Sequence, residues 1–258
     1  MDFHNNLLFY PEIPDPRTII SKICQRLGYT YSNSLEQDYL LGFKWKDTTY
    51  YALDSQNLPL LSQLQIFNSN CIDISKNYVY KAYSLIFGNT LAVDPLVFSG
   101  AMVSKSNRNA THDGAIIQGP IAEIDSEKSY CILVDNSDGN DVIDYRVPIF
   151  LDTIPLVYIK RREIATRFEN VNLSASLVSP EEVFSIEEIH NLIAFANEIG
   201  MEYGELDVLR DRNSQKIYVV DANNTPFGPP KGLSEEDSLR ALTILCNSFE
   251  DTFITQGT

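Results

Sequence analysis

Apolar residues recur along this chain in two periods, one near 3.6 and one of 2, and the segments that carry them can be told apart. In SIEEIHNLIAFANEIG, Ile189, Leu192, Ile193, Ala196 and Ile199 repeat at helical spacing, which makes one helix face apolar and leaves the rest polar. Ser185 and Glu188, three residues apart, form a capping box, and Gly200 closes the run. The spacing predicts the clearest helix of the protein here. A second helix is predicted over DPRTIISKICQRLGYT, with Asp15 as N-cap, Pro16 in the first turn, a buried stripe of Ile19, Ile20, Ile23 and Leu27, and Gly28 at its end. CIDISKNYVYKAYSLIFGNT predicts a third, ending at Gly88. LSEEDSLRALTILCNSF predicts a last one, capped by Ser234 and with acids in its first turn, where the helix dipole favours them.

Shorter runs of period 2 or continuous apolarity predict strands. LLFY, DYLLGFKW and TYYAL join the first helix in a small α/β unit that stops near Leu61, within a short leading domain of residues 1 to about 72. AMVSKSNRNATHDGAIIQGP reads as strand, polar loop, strand, and SYCILVDNSDG follows it with another strand. DYRVPIF, PLVYIKRRE, GELDVLR and KIYVVDAN complete the set. No internal repeat or low-complexity segment interrupts this order, and the class expected is mixed α/β.

Two of these strands carry acids where apolar residues would be the rule. In ELDVL the period of 2 puts Glu205, Asp207 and Leu209 on one face, and in YVVDAN it groups Val219, Asp221 and Asn223. A hairpin symmetric about Ser214 and free of bulges sets Asp207 opposite Asp221 and Glu205 opposite Asn223. Like charges directly opposite each other are destabilising, so a positive group is expected between the acids. Two carboxylates and an amide oxygen suit magnesium, which is usually held by one or two carboxylates plus substrate phosphates. A solvated acidic face is the alternative.

Cations stand where such a site needs them. Lys76 is at the start of a predicted helix, and Lys105 ends an apolar strand just before the loop SNRNATHDG. Each can reach a phosphate, or can be a surface lysine with its stem laid along the protein. The loop is rich in residues that expose backbone amides to an anion, and its His112 suits either a phosphate contact or a turn cap. In PLVYIKRRE, Lys160 and Arg162 share a strand face, and Arg146 lies on the preceding strand. These three make a carboxylate or phosphate clamp, or ion pairs with neighbouring acids.

Composition narrows the partners. Thirty-five acids against twenty Lys and Arg give a formal charge of −15, which opposes general attraction to nucleic acid or to anionic membranes. No stretch reaches membrane-spanning length, and the start MDFHNNLLFYPEIPDP has no basic segment ahead of a long apolar run. The expected location is the cytoplasm. Cys24, Cys71, Cys131 and Cys246 lie far apart among apolar neighbours, as buried reduced thiols do.

A lysine at a helix start, a lysine before a flexible loop, the stretch LVDNS, basic strands and then ELDVLRD and DANNTP follow one another in an order that resembles the ATP-grasp superfamily. Within it the second half is similar to the carboxylate–amine ligases that include D-alanine–D-alanine ligase and the ribosomal-protein glutamate ligase. The similarity spans roughly residues 73–230. It implies an ATP-grasp fold in three parts: a short N-terminal α/β domain over 1–72, a small subdomain with a phosphate-covering loop over 73–135, and a C-terminal subdomain with the metal site over 136–258. It implies ATP and Mg2+ as cofactors, with Asp207, Asp221 and Asn223 on the metal. Lys76, Lys105, His112, Asp113, Gly114 and Asp135 would bind the nucleotide, with Asp135 at the acidic hinge position. Arg146, Lys160 and Arg162 would hold the acceptor or the phosphorylated intermediate. The implied substrates are a small-molecule carboxylate and an amine, and because relatives are often dimers a homodimer is allowed.

The chain departs from the ligase pattern at three points. The middle metal position is Asp221 where most ligases have Glu, the covering loop has one glycine, and Glu205 stands where D-alanine ligases have an arginine. An Asp at that position and a His in the loop are also similar to the ATP-grasp inositol polyphosphate kinases, so phosphoryl transfer to a hydroxyl is the alternative activity. A nucleotide-binding protein without catalysis is the third.

Overall fold

The computed structural model describes residues 5–54, 61–111, 113–169 and 171–255. A parallel sheet leads the chain, built from β1 (Asn6–Pro11), β2 (Thr30–Ser32), β3 (Leu41–Trp45) and β4 (Ile66–Phe67) in the order β2-β1-β3-β4. Parallel neighbours need crossovers, and α1 (Ile19–Leu27) supplies the one from β1 to β2. Ile19, Ile20 and Ile23 are buried as their spacing predicts, and Leu27 packs against them partly buried.

α1 starts later than its sequence suggests. The Asp15 carboxylate accepts from the Arg17 backbone N–H at 2.8 Å and from Arg17 Nε at 2.9 Å, so it closes a turn ahead of the helix and Thr18 is the N-cap. TYYAL is no strand either. Tyr50 makes an isolated bridge with Asp73, and the Tyr51 carbonyl accepts from the buried Lys44 ammonium at 2.9 Å. Similarly α2 (Lys76–Phe87) begins only after CIDI, because Ser75 caps it by accepting from the Tyr78 N–H. α3 (Ile186–Glu198) has the expected capping box of Ser185 and Glu188, and Ser234 caps α4 (Glu235–Phe249).

β5 (Gly100–Ser106), β6 (Ala115–Gly119) and β7 (Lys128–Ile132) form a small antiparallel sheet in the order β6-β5-β7. The largest sheet is antiparallel too. It holds β8 (Ser137–Asp138), β9 (Asp141–Phe150), β10 (Val157–Glu163), β11 (Ser174–Val178), β12 (Tyr203–Arg210) and β13 (Ile217–Asn223), in the order β11-β10-β9-β12-β13 with β8 on β9.

The two faces of this large sheet bury different partners. Val147, Val157, Leu206, Val208 and Val219 face α2 and α3, meeting Val79, Tyr83, Leu192 and Phe195 in one core. Side chains one residue out of phase point the other way. There Phe150, Tyr158 and Tyr203 pack against Phe9, Phe43 and Trp45 of the leading sheet and against Phe249 and Phe253. Asn68, fully buried, ties the leading segment to β12: its side chain accepts from the Glu202 and Tyr203 N–H groups at 2.8 and 2.9 Å and donates to the Tyr203 carbonyl at 2.7 Å.

All four cysteines are free and buried. Burial pushes the Cys24 thiol up to about 12 and the Cys71 thiol up to about 11, as expected for inert core thiols. No helix among the described residues is long and apolar enough to cross a membrane.

Candidate active site

Pairing in the large sheet places one row of functional groups side by side. Tyr158 on β10 is in register with Arg146 on β9, Arg146 with Asp207 on β12, and Asp207 with Asp221 on β13. Glu205 pairs with Asn223 one step along. The acids therefore face each other as the sequence predicts, but the hairpin is not free of bulges. Val208 pairs with Val219, which leaves Val220 as the extra residue. In consequence Val219 turns into the helix-side core, and Val220 joins Asp221 on the wall of a cavity of about 200 Å³. The strict alternation that groups Val219 with Asp221 is broken at this point.

The positive charge expected between the acids comes from the chain itself. Asp207 Oδ1 accepts from Lys160 Nζ at 2.9 Å and from Arg146 Nε at 3.2 Å. Asp221 Oδ1 accepts from Lys76 Nζ at 2.6 Å and from the Ala222 N–H at 2.9 Å. Every hydrogen bond these two carboxylates accept from described residues falls on Oδ1, so Oδ2 of each has none. Asn223 differs, since its amide oxygen accepts from the Thr225 N–H at 2.9 Å and from the Thr225 hydroxyl at 3.4 Å. Among the described residues no cluster of three or more His, Cys, Asp or Glu side chains is arranged to hold a metal ion. The oxygen donors that meet here are two carboxylates with an amide one step away.

Burial and pairing pull the charges in opposite directions. Desolvation lowers the pKa of Lys76 and of Lys160, against the attraction of Asp221 and Asp207 respectively. Burial alone would raise Asp207, yet Arg146 and Lys160 more than reverse this and hold it below the usual carboxylate range. Burial also works to lower Arg146, and Asp207 and Glu205 leave it raised instead. Glu205 is pushed up to about 7 by burial, which the ion pair with Arg146 offsets only in part. Charges this deep persist because each has a partner, and removing one partner leaves the other uncompensated.

The segment that follows β5 is tied to this row through Asn109. Lys76 Nζ donates to the Asn109 side-chain oxygen, Asn109 Nδ2 donates to the Ala222 carbonyl at 2.9 Å, and the Asn109 N–H donates to Thr49 Oγ1 at 2.9 Å. The Asn77 N–H at the start of α2 donates to the Asn107 side chain at 2.9 Å. Asp113 accepts from the Ser106 N–H at 2.8 Å, from the Thr111 hydroxyl at 3.1 Å and from Lys128. Gly114 lies so near Phe168 that a Cβ there would come within 2.6 Å of the ring, so any larger residue would have to displace the Phe168 side chain. His112 lies outside the described residues.

Lys105 lines the same cavity, with Nζ donating to the Val220 carbonyl at 2.9 Å and lying 5.7 Å from the centre of the Tyr80 ring. Arg146 and Arg162 line it as well, whereas Lys160 reaches it only through Asp207. Arg162 is fully engaged, pairing with Asp144 Oδ2 at 2.7 Å and donating to the Arg167 carbonyl and to Asn172. All three strand cations are thus in ion pairs with neighbouring acids. In the stretch LVDNS, Val134 and Asn136 face the cavity and Asp135 does not. Asp135 instead accepts from Ser137 and Asn213, while its carbonyl accepts from the Arg212 N–H at 2.7 Å, binding it to the β12–β13 turn.

Three further wall residues are Asn136, Asp144 and Arg167. Asp144 was within reach of the alternation rule, two residues before Arg146 on one strand face. Arg167, which donates to the Val134 carbonyl at 3.1 Å and to Asn136 at 2.7 Å, follows a short 3-10 turn whose sequence has no period to read.

Neither the family models nor the curated proteins compared with this chain match it. Solved structures do. The ATP-grasp ligase PsnB complexed with minimal precursor superimposes at TM-score 0.62 with 11% identity, over 97% of this chain and 100% of that one. The same ligase complexed with a phosphomimetic variant of minimal precursor, Mg and ADP gives 0.58 with 10% identity over 96% and 97%. D-alanine–D-alanine ligase from Bacillus anthracis complexed with ATP gives 0.58 with 14% identity over 98% and 97%.

Proposed function

We propose, taking as premise the ATP-grasp fold that this chain shares with those ligases, that it is an ATP- and magnesium-dependent carboxylate–amine ligase. The reading is carried by one observation: two carboxylates in register across a hairpin, each with one oxygen uncommitted, at the wall of a cavity that also presents Lys76, Lys105 and Arg146. In this reading the γ-phosphoryl group passes from ATP to a substrate carboxylate, giving ADP and an acyl phosphate. Attack by an amine then forms the amide and releases phosphate and a proton.

The donor set fits magnesium, a hard cation held by oxygen. Asp207 and Asp221 would hold it through their Oδ2 atoms, and Asn223 would join by sharing the amide oxygen it now lends to Thr225. Bound there, the metal would supply positive charge to phosphate oxygens. Lys76 and Lys105 would neutralise the transferring group, and Arg146 would steady the acyl phosphate. The apolar part of the wall, Val103, Val134 and Val142, suits a flat base. The covering loop, with Asp113 and Gly114, would exclude water. Residues 1–72, 73–135 and 136–258 would be the short N-terminal, the loop-bearing and the metal-bearing parts.

The test is ADP release from ATP and magnesium in the presence of pooled amino acids and short peptides, with mass spectrometry of the product. A product lighter than its two substrates by one water supports the ligase. A phosphate gained on a hydroxyl would make the protein a kinase instead. Absence of release from every pool, together with an Asp221→Ala variant that binds ATP like wild type, would end the reading.

A further inference from the structure

Glu205, in register with Asn223 on the β12–β13 hairpin, has no task in the proposed reaction. It is 3% exposed, and neither of its carboxylate oxygens has a hydrogen-bond partner. A buried carboxylate in that condition is costly to keep. Its strand neighbour Tyr203 and the nearby Tyr158 offer no cation, and their own hydroxyls are unpartnered as well. The cation within ion-pair distance is Arg146, whose Nε lies 3.5 Å from Glu205 Oε2.

Arg146 stands between two carboxylates. Its Nε donates to Asp207 Oδ1 at 3.2 Å, the Lys160 ammonium shares that same oxygen, and neither Nη group of Arg146 hydrogen-bonds to a described residue. Any ligand that draws on Asp207 competes with Arg146 for it. Glu205 is then the remaining carboxylate within ion-pair distance that can hold the guanidinium in its row, at the wall of the cavity that Arg146 lines.

We infer that Glu205 is a positioning residue for Arg146, holding the guanidinium as an anion clamp at the cavity wall when Asp207 is recruited elsewhere. This rests on the ligase reading for the identity of the anion, a phosphate or acyl phosphate. The charge of Glu205 acts on Arg146, and the substrate meets Arg146.

Two calorimetric titrations test it: Mg–ADP into the full-length protein, then inorganic phosphate into the Mg–ADP-loaded protein. Glu205→Gln is expected to bind Mg–ADP within about twofold of wild type and phosphate about tenfold more weakly, a loss comparable to one charge-assisted hydrogen bond. The double variant with Arg146→Ala should bind phosphate no more weakly than Arg146→Ala alone, because the two groups act as one unit. Glu205→Asp, which keeps the charge, should recover part of the loss and serves if the glutamine variant does not fold. Additive losses in the double variant, or phosphate binding by Glu205→Gln equal to wild type, would overturn the inference. So would a parallel loss of Mg–ADP, which would make Glu205 a direct ligand. Failure of wild type to bind Mg–ADP at all would overturn the ligase reading and this inference with it.

Discussion

The face of the large sheet that turns away from α2 and α3 has two halves built on the same strands. Toward one end, Phe150 and Tyr203 meet Phe43, Phe249 and Phe253 in a cluster of aromatic rings, with Tyr158 buried in the same core. Toward the other, Arg146, Lys160, Asp207 and Asp221 meet one another and a cavity. The change happens within two residues on β10 and β12, Tyr158 to Lys160 and Tyr203 to Glu205, and within four on β9, Phe150 to Arg146. Apart from the bulge at Val220 both halves are strand, so side-chain chemistry divides them. The aromatic half is satisfied by filling its volume. The charged half is satisfied by pairing, which leaves space and uncommitted carboxylate oxygens, and that surplus is what a ligand can use.

The largest effect is expected from emptying the aromatic half. Phe43 touches the rings of Phe9, Phe67, Tyr203, Phe249 and Phe253, and Phe43→Ala should destabilise by about 3–5 kcal/mol in urea unfolding. In the charged half Asp207→Asn should cost less, about 2 kcal/mol, because its side chain is 26% exposed and Arg146 and Lys160 retain Glu205 nearby. Its effect on Mg-dependent nucleotide binding should be far larger than its effect on stability. If the two variants destabilise equally, the charged half is a core like the other.

Smaller changes separate the covering loop from the wall beneath it. Asn109→Ala removes the amide that bridges Lys76 and the Ala222 carbonyl. Limited proteolysis should nick the 107–114 loop faster in this variant, while global stability falls by under about 1 kcal/mol. The smallest expected effect is one of pH. Burial tends to raise Asp113, but Lys128, the Ser106 N–H and Thr111 outweigh it and bring the carboxyl down from 3.8 to about 2. Its contribution to loop order is present above about pH 4 and lost as pH falls through 2. Because the side chain is a third exposed, Asp113→Asn should shift stability at neutral pH by within about 0.5 kcal/mol. Loop nicking by an acid-tolerant protease should then lose its dependence on pH between 4 and 2.

What could be read in the chain beforehand divides along physical lines. Caps and period-2 pairing are local, so the Ser185–Glu188 box and the register of Asp207 with Asp221 were legible. The extra residue at Val220 was not, since a bulge depends on what the partner strand offers. Asp15 has the chemistry of an N-cap, yet its contact with the Arg17 N–H takes up that role's oxygen three residues before the N-cap the helix uses, Thr18. TYYAL has strand composition, but Lys44 and the 71–74 segment take up its backbone groups. The sequence marked Arg146, Lys160 and Arg162 as a basic cluster without saying which acid each would meet. Asp135 looked like a hinge contact, and only the fold shows it turned toward the β12–β13 turn.

In the ligase proposed here Asp207 and Asp221 form a cation-dependent nucleotide site. Its most direct measurement is calorimetric titration of a non-hydrolysable ATP analogue into wild type and Asp221→Ala, each with magnesium and with a chelator. Wild type should bind about tenfold or more tightly with magnesium than without, and Asp221→Ala should lose that difference. Equal affinity with and without magnesium in wild type, or an undiminished magnesium effect in Asp221→Ala, would contradict the claim.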